Sequence, residues 1–310
     1  RQPARCHRPR PHHLAGGEPV SAHCGGEPQA WAAVGAKPDA PNVLEVRDLR
    51  VVQRAGGQPL VQGVSFTLAA GACLGIVGES GSGKTLTCRS IMGLLPPTLA
   101  GEGSAVCNGI DLVHAPAEQM RQLRGRMIAM VLQQPMTAFD PLYTMGAQFR
   151  ETLAAHGAYS PAQADALAVA MFGRVRLDAP HEILRSYPHE LSGGMLQRCM
   201  IALALALEPQ LIIADEPTTA LDAETQFEVV QRFQGLRVQC NTAMIFVSHD
   251  LGVVQRLADA VLVMKDGRCV EYGPAETVFN APQHEYTQYL IRTRLALTRG
   301  FESMLERTHA

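Results

Sequence analysis

The chain has 310 residues, 46% of them hydrophobic and 18% charged, with a formal net charge of −2. That composition supports a sizeable buried core and gives no electrostatic reason to expect nucleic acid as a partner. No apolar run reaches the roughly 18–20 residues of a membrane-spanning helix. The longest, Ile201 to Leu207, stops at Glu208-Pro209, so any membrane connection is expected through another subunit. The eight cysteines (6, 24, 73, 88, 107, 199, 240 and 269) form no Cys-x-x-Cys pair. They read as reduced cytosolic thiols, several of them buried, and not as a disulfide framework or zinc ribbon.

Residues 1–41 are rich in Pro, Gly, Ala, Arg and His, without helix or strand periodicity. They are expected to be a disordered leader, or sequence upstream of the natural start. The pairs Cys6-His7, His12-His13 and His23-Cys24 lack the fixed spacing of a metal site. From Val43 the texture changes. VLEVRDLRVV alternates as a half-buried strand, and QGVSFTL (62–68) does so again. The two predict a small antiparallel β element.

CLGIV (73–77) reads as a buried central strand, and a helix is predicted from Gly83. Between them lies GESGSGKT, formed by Gly78, Glu79, Ser80, Gly81, Ser82, Gly83, Lys84 and Thr85. It matches the full G-x-x-x-x-G-K-T phosphate loop in its strand-to-helix context. The glycines let backbone N–H groups wrap a phosphate, Lys84 reaches the β and γ oxygens, and Thr85 offers a hydroxyl to Mg²⁺. MIAMVL (127–132) is a further buried strand, ending at Gln133, whose amide can sense Mg²⁺ and a water. Residues from about 138 to 205 have only helical texture, including an Ala-rich stretch at 161–172.

Within that region, LSGGMLQR (191–198) sets Ser192, Gly193 and Gly194 directly before a helical pattern. Unpaired N–H groups at a helix start point at negative charge, yet no lysine follows. LIIAD (211–215) ends in Asp215 and then Glu216, at the strand edge where ligands bind in open α/β sheets. Asp215 can hold Mg²⁺ through water, and Glu216 can act as general base on the attacking water. AMIFVS (243–248) is the next strand, with His249 just after it; taken alone, such a histidine is either an ordinary satisfied surface or core residue or one that touches a γ-phosphate. The whole predicts an α/β core sheet interrupted by a helical insert.

In this order the motifs closely resemble the ATP-binding subunits of ABC transporters, from about Val43 to the C-terminus. GESGSGKT resembles Walker A, Gln133 the Q-loop, LSGGMLQR the signature, LIIADEP the Walker B with its catalytic Glu216, Ala220–Asp222 the D-loop and His249 the H-loop. The resemblance implies a P-loop NTPase core of RecA-like type with an antiparallel β subdomain and an α-helical insert. The ATPase domain would span 42–297, with its helical subdomain at about 138–205 and a tail at 298–310. It also implies ATP and Mg²⁺ as cofactors and a head-to-tail pair of ATPase subunits. Each ATP then lies between one chain's Walker A and the other's signature, which accounts for the missing lysine. Two membrane permeases and a periplasmic or extracellular solute-binding protein complete the implied assembly, at the cytoplasmic face of the inner membrane.

QQPMTAFDPLYTMG, DEPTTALD, SHDLGVVQRLADAVLVMKDGRCVEYGP and AETVFNAPQHEYTQYLI resemble the oligopeptide, dipeptide and nickel importer branch. The strings QPLVQGVSFTL and IRTRLAL are most similar to the nickel-import ATPase subunit, with dipeptide or oligopeptide import as the alternative. Importers of this branch often pair two different ATPase chains, so a heterodimer is expected. Two departures stand out. Gln53 or Arg54 occupies the place where the family stacks an aromatic ring on adenine, and Met195 replaces the usual glutamine of the signature. A soluble ABC ATPase acting on ribosomes or DNA would carry two cassettes or a coiled-coil insert, and an inactive regulatory partner would not need both Glu216 and His249. Deleting residues 1–41 is expected to leave the ATPase rate of the assembled complex unchanged, as measured by phosphate release.

Overall fold

The computed structural model describes residues 41–218, 226, 229–231, 233–235, 237 and 241–293. The proposed leader, the tail at 298–310 and the Ala220–Asp222 motif lie outside the described residues.

Two sheets pack around a core between them, and a second core lies on the far face of the larger sheet. The first sheet is antiparallel, built from β1 (Asn42–Gln53), β2 (Pro59–Ala69), β4 (Leu99–Cys107) and β5 (Ile110–Asp111) in the order β2-β1-β4-β5. The second has six strands, β3 (Cys73–Val77), β6 (Ile128–Val131), β7 (Leu211–Asp215), β8 (Ala243–Val247), β9 (Ala260–Lys265) and β10 (Arg268–Pro274). Their order is β10-β9-β3-β8-β7-β6, parallel throughout except for the β9–β10 pair.

Every residue of β3, β7 and β8 is buried, which is why these segments read as continuous apolar runs and not as alternations. Successive side chains still point to opposite faces, and each face has its own core. Cys73, Val77, Ile212, Ala214, Met244 and Phe246 join one cluster. Leu74, Ile76, Leu211, Ile213, Ile245 and Val247 join the other. The second face is covered by the antiparallel sheet and by α1 (Lys84–Ile91).

After α2 (Ala117–Leu123) and β6 comes the helical insert. Between Val131 and Leu211 every regular element is helical: α3 (Met145–His156), α4 (Pro161–Arg174), α5 (Pro180–Arg185) and α6 (Gly193–Ala206), with 3-10 turns at Pro135–Thr137 and Pro188–Glu190. The starts are local chemistry. Ser160 and Gln163 form a reciprocal capping box with Pro161 in the first turn of α4. Phe149 of α3 and Phe172 of α4 meet edge to face, with centroids 5.0 Å apart. α6 ends at Ala206, just before Glu208 turns left-handed at φ 47°. The chain then re-enters the sheet at β7 and β8, followed by α7 (Leu251–Leu257) and α8 (Ala275–Asn280); residues 285–293 are again helical. Among the described residues no helix is long and apolar enough to cross a membrane.

The sequence reading assigns no strand to β4, β5, β9 or β10. β4 is mostly half-buried and contains two glycines, and β10 mixes charged with apolar residues, so neither shows a strong period. They become strands by pairing with β1 and β9. The described cysteines 73, 88, 107, 199 and 269 are all buried, and none of them forms a disulfide. Burial pushes the thiols of Cys73 and Cys199 up to about 12 and that of Cys107 to about 11, which makes them inert packing groups.

Gly75 lets α7 sit close on the central strand. A Cβ there would overlap Val254 Cγ1 and lie 3.0 Å from Ala258 Cβ. Gly75→Ala is therefore expected to destabilise the chain by about 1–3 kcal/mol through overpacking, read as a lower urea midpoint.

Candidate active site

The phosphate loop is the turn from β3 into α1. Gly78, Gly81 and Gly83 have φ of 150°, 82° and 101°, a region open to glycine and strained for other residues. Gly78 also lies so close to the Met264 carbonyl that a Cβ would collide with it. Lys84 opens α1 and is only 5% exposed. Its Nζ donates to the carbonyls of Gly78 (2.9 Å) and Glu79 (2.8 Å). Burial lowers its pKa, while the Glu216 and Asp215 carboxylates push it back up. Positive charge is thus held beneath the loop by two acids at the end of β7, which β8 separates from β3.

Asp215 ends β7 and is 3% exposed. Burial raises its pKa, against a hydrogen bond of 3.2 Å donated by Thr85 Oγ1. Glu216 follows with φ 48°, and its N–H donates to the Val247 carbonyl at 3.0 Å. A left-handed turn at a residue with a Cβ costs about 1–2 kcal/mol. Here it ends the strand immediately after Asp215, and the two adjacent acids do separate things. Asp215 Oδ1 meets Thr85, whereas Glu216 Oε2 accepts from Gln133 Nε2 at 2.8 Å and lies 3.5 Å from His249 Nδ1.

These groups surround one cavity of about 470 Å³. Gly78, Glu79, Ser80, Gly81, Gly83, Lys84, Thr85, Gln133, Glu216 and His249 all line it. Asp215 sits behind that lining, under Thr85. Ser82 is also set back: its N–H donates to the Glu79 carbonyl at 3.2 Å and its carbonyl accepts from Gly267 N–H at 3.1 Å. It holds the loop's shape and does not form part of the cavity wall. Ser192, Gly193 and Gly194 are not brought to the cavity at all. Ser192 caps α6 by accepting from Met195 N–H at 3.2 Å, Ser192 and Gly193 are exposed, and a Cβ on Gly193 would meet nothing within 4 Å. Gln53 and Arg54 also stay outside the lining, with Arg54 Nε bonded to the Leu99 carbonyl at 3.1 Å.

The donor set suits a hard cation. Thr85 Oγ1, the Asp215 carboxylate and the Gln133 amide oxygen are all oxygen ligands, and the first two already touch. Among the described residues no group of three or more His, Cys, Asp or Glu could hold a metal without further ligands. One carboxylate and a hydroxyl, completed by phosphate oxygens, is the way Mg²⁺ binds with a nucleotide.

Three cavity residues escape a reading of the motifs, Leu86, Leu251 and Leu290. Leu290 belongs to the AETVFNAPQHEYTQYLI string, whose resemblance signals a branch and not a contact with the loop.

Residues 61–219 match the family model described as ABC transporter. The chain belongs to this family. It is an ATPase and an ATP-binding subunit, close to those of importers. It is 45% identical over 263 residues to the metal-staphylopine import system ATP-binding protein CntD of Staphylococcus aureus, covering 85% of this chain and 97% of that protein. It is likewise 45% identical to the oligopeptide transport ATP-binding protein OppD of Salmonella typhimurium, covering 81% of this chain and 76% of that one. Among solved structures, the ATP-binding cassette MJ0796, dimeric and bound to ADP and Pi, matches with a TM-score of 0.67 at 26% identity, over 75% of this chain and 98% of that one. The fold expected of an ABC cassette is therefore the fold found.

Thr85→Ala removes the hydroxyl that donates to a buried carboxylate. It is expected to cost about 1–3 kcal/mol of stability, seen as a lower urea midpoint that Thr85→Ser restores.

Proposed function

We propose that this ABC ATPase drives import of nickel or a nickel chelate, working as a head-to-tail pair with a second ATPase subunit. The observation that carries the pairing is the separation of two phosphate-binding features on one chain. The loop at 78–85 lines its own cavity, while the start of α6 at Ser192–Gly194 lies outside that lining, with Ser192 and Gly193 exposed and open space around Gly193. Free N–H groups at the start of a helix of 14 residues form an anion site. A γ-phosphate held by the partner's loop would satisfy it, so ATP joins two chains and hydrolysis releases them.

Within one site the roles follow from contacts. The loop N–H groups and Lys84 bind the β and γ phosphates. When bound, Mg²⁺ neutralises phosphate charge, held by Thr85 and Asp215 with Gln133 beside them. Glu216 takes the proton of the attacking water, and its carboxylate is aimed by the Gln133 amide at 2.8 Å. His249, 3.5 Å from Glu216 Oε2, orients that carboxylate and reaches the γ-phosphate.

Coupling to a membrane follows the same geometry. An apolar groove of about 300 Å³ lies beside Leu132, with Leu94, Phe139, Met200 and Leu207 in its walls. Leu142, three residues after Phe139 in the chain, is 78% exposed. The groove suits an apolar helix from a cytoplasmic loop of a permease, placed one residue from Gln133. Two permeases, a periplasmic or extracellular solute-binding protein and a peripheral position on the cytoplasmic face of the inner membrane complete the reading. The long match to the metal-staphylopine protein favours a metal chelate as cargo. The equal identity to the oligopeptide protein supports a peptide as the second reading, and uptake of radioactive nickel against dipeptide in a deletion strain separates the two.

Glu216→Gln removes the base and leaves the phosphate contacts. In the assembled transporter, ATP turnover is expected to fall about 10²–10⁴-fold, with ATP retained and the ATPase pair closed in size-exclusion chromatography. Turnover at the normal rate would overturn the role of Glu216.

A further inference from the structure

The segment after α8 reaches back to the phosphate loop, which no motif requires. Tyr286 is 6% exposed, and its hydroxyl accepts from the Glu79 N–H at 3.1 Å. The carbonyl of the same Glu79 accepts from Lys84 Nζ and from the Ser82 N–H. Residue 79 is therefore gripped on both of its peptide groups, once by the loop's own lysine and once from the C-terminal side of the chain. Lys265, at the end of β9, lies over the Tyr286 ring with Nζ 4.9 Å from the centroid. In the turn after β9, the Gly267 N–H donates to the Ser82 carbonyl at 3.1 Å.

The segment is itself anchored. Glu271 of β10 is 7% exposed, and its carboxylate accepts from the N–H groups of Gln283 (2.8 Å) and His284 (3.1 Å). These contacts start the helical residues 285–293 at a defined place. One turn beyond Tyr286, Leu290 contributes to the wall of the cavity that holds Lys84 and Glu216.

We propose that Tyr286 is a positioning residue of the nucleotide site, holding the phosphate loop open through the Glu79 amide, and that Leu290 makes the C-terminal helix a wall of that site. The ligand class is a nucleoside di- or triphosphate with its divalent cation. The proposal rests on the assignment of this cavity to ATP, and it adds a contribution from outside the loop, from a segment beyond the last strand of the sheet.

The test compares the full chain with Tyr286→Phe, which keeps the ring and its packing, and with Leu290→Ala. Mg–ADP affinity is measured by calorimetry, and the exchange of the loop amides at 78–85 by hydrogen–deuterium mass spectrometry without nucleotide. Losing one hydrogen bond should raise the dissociation constant about threefold to tenfold in Tyr286→Phe and speed exchange in the loop. Leu290→Ala should weaken binding about twofold to fivefold with loop exchange unchanged. If Tyr286→Phe binds Mg–ADP as wild type does, the positioning role is refuted, including the case where only its melting temperature falls. If Leu290→Ala binds as wild type does, the wall is refuted. Failure of the wild-type chain to bind Mg–ADP would instead remove the nucleotide assignment itself.

Discussion

β3, β8 and β7 lie side by side and parallel, with Ile76 opposite Val247 and Val247 opposite Asp215. Because the three strands end at the same level, the segments that leave them all emerge on one edge of the sheet. The phosphate loop leaves β3, His249 comes just after β8, and Glu216 comes directly after β7. Backbone hydrogen bonds continue the registration past the strand ends, from Ser248 N–H to the Ile76 carbonyl at 3.3 Å and from Glu216 N–H to the Val247 carbonyl at 3.0 Å. A slip of one residue in either pairing would exchange the two faces of a strand and separate Thr85 from Asp215. The two cores, one on each face, hold that register in place.

This edge concentrates charge where water is scarce. Lys84 and Asp215 are both nearly buried, and burial moves each toward its neutral form. Their mutual attraction opposes that drift; Glu216 on the next residue helps keep Lys84 charged but pushes Asp215 further up, against the Thr85 hydrogen bond. The strained backbone of Glu216 belongs to the same arrangement, since a continued strand would send its side chain to the opposite face from Asp215 and away from Gln133. Loop, acids and histidine thus form one electrostatic unit built by strand ends. The C-terminal segment adds a brace from the far end of the chain.

The motif-bearing parts of the site were legible because their chemistry is local. GESGSGKT needs glycines at positive φ and a lysine at a helix start, and both demands are visible in eight residues. The apolar runs at 73–77, 211–215 and 243–248 were legible for the same reason, since a strand buried on both faces shows no polar interruption. β4 and β10 were not, because their burial is partial and is created by partners far away in the chain. Tyr286 was unreadable as a contact. A tyrosine in a polar helical stretch resembles any other, and only the packing that places it against Glu79 gives it a role.

Residue chemistry alone was therefore enough for the α/β class, the phosphate loop, the acids after β7 and the helical insert, because hydrophobic period and backbone permissiveness act within a few residues. The order of strands in the sheet, the contacts of Gln133 and His249 with one carboxylate oxygen, the exclusion of Ser192–Gly194 from the cavity and the return of Tyr286 to the loop were settled only by tertiary packing. Each depends on distances between segments tens to hundreds of residues apart, and such distances exist only once two cores have closed on the sheet.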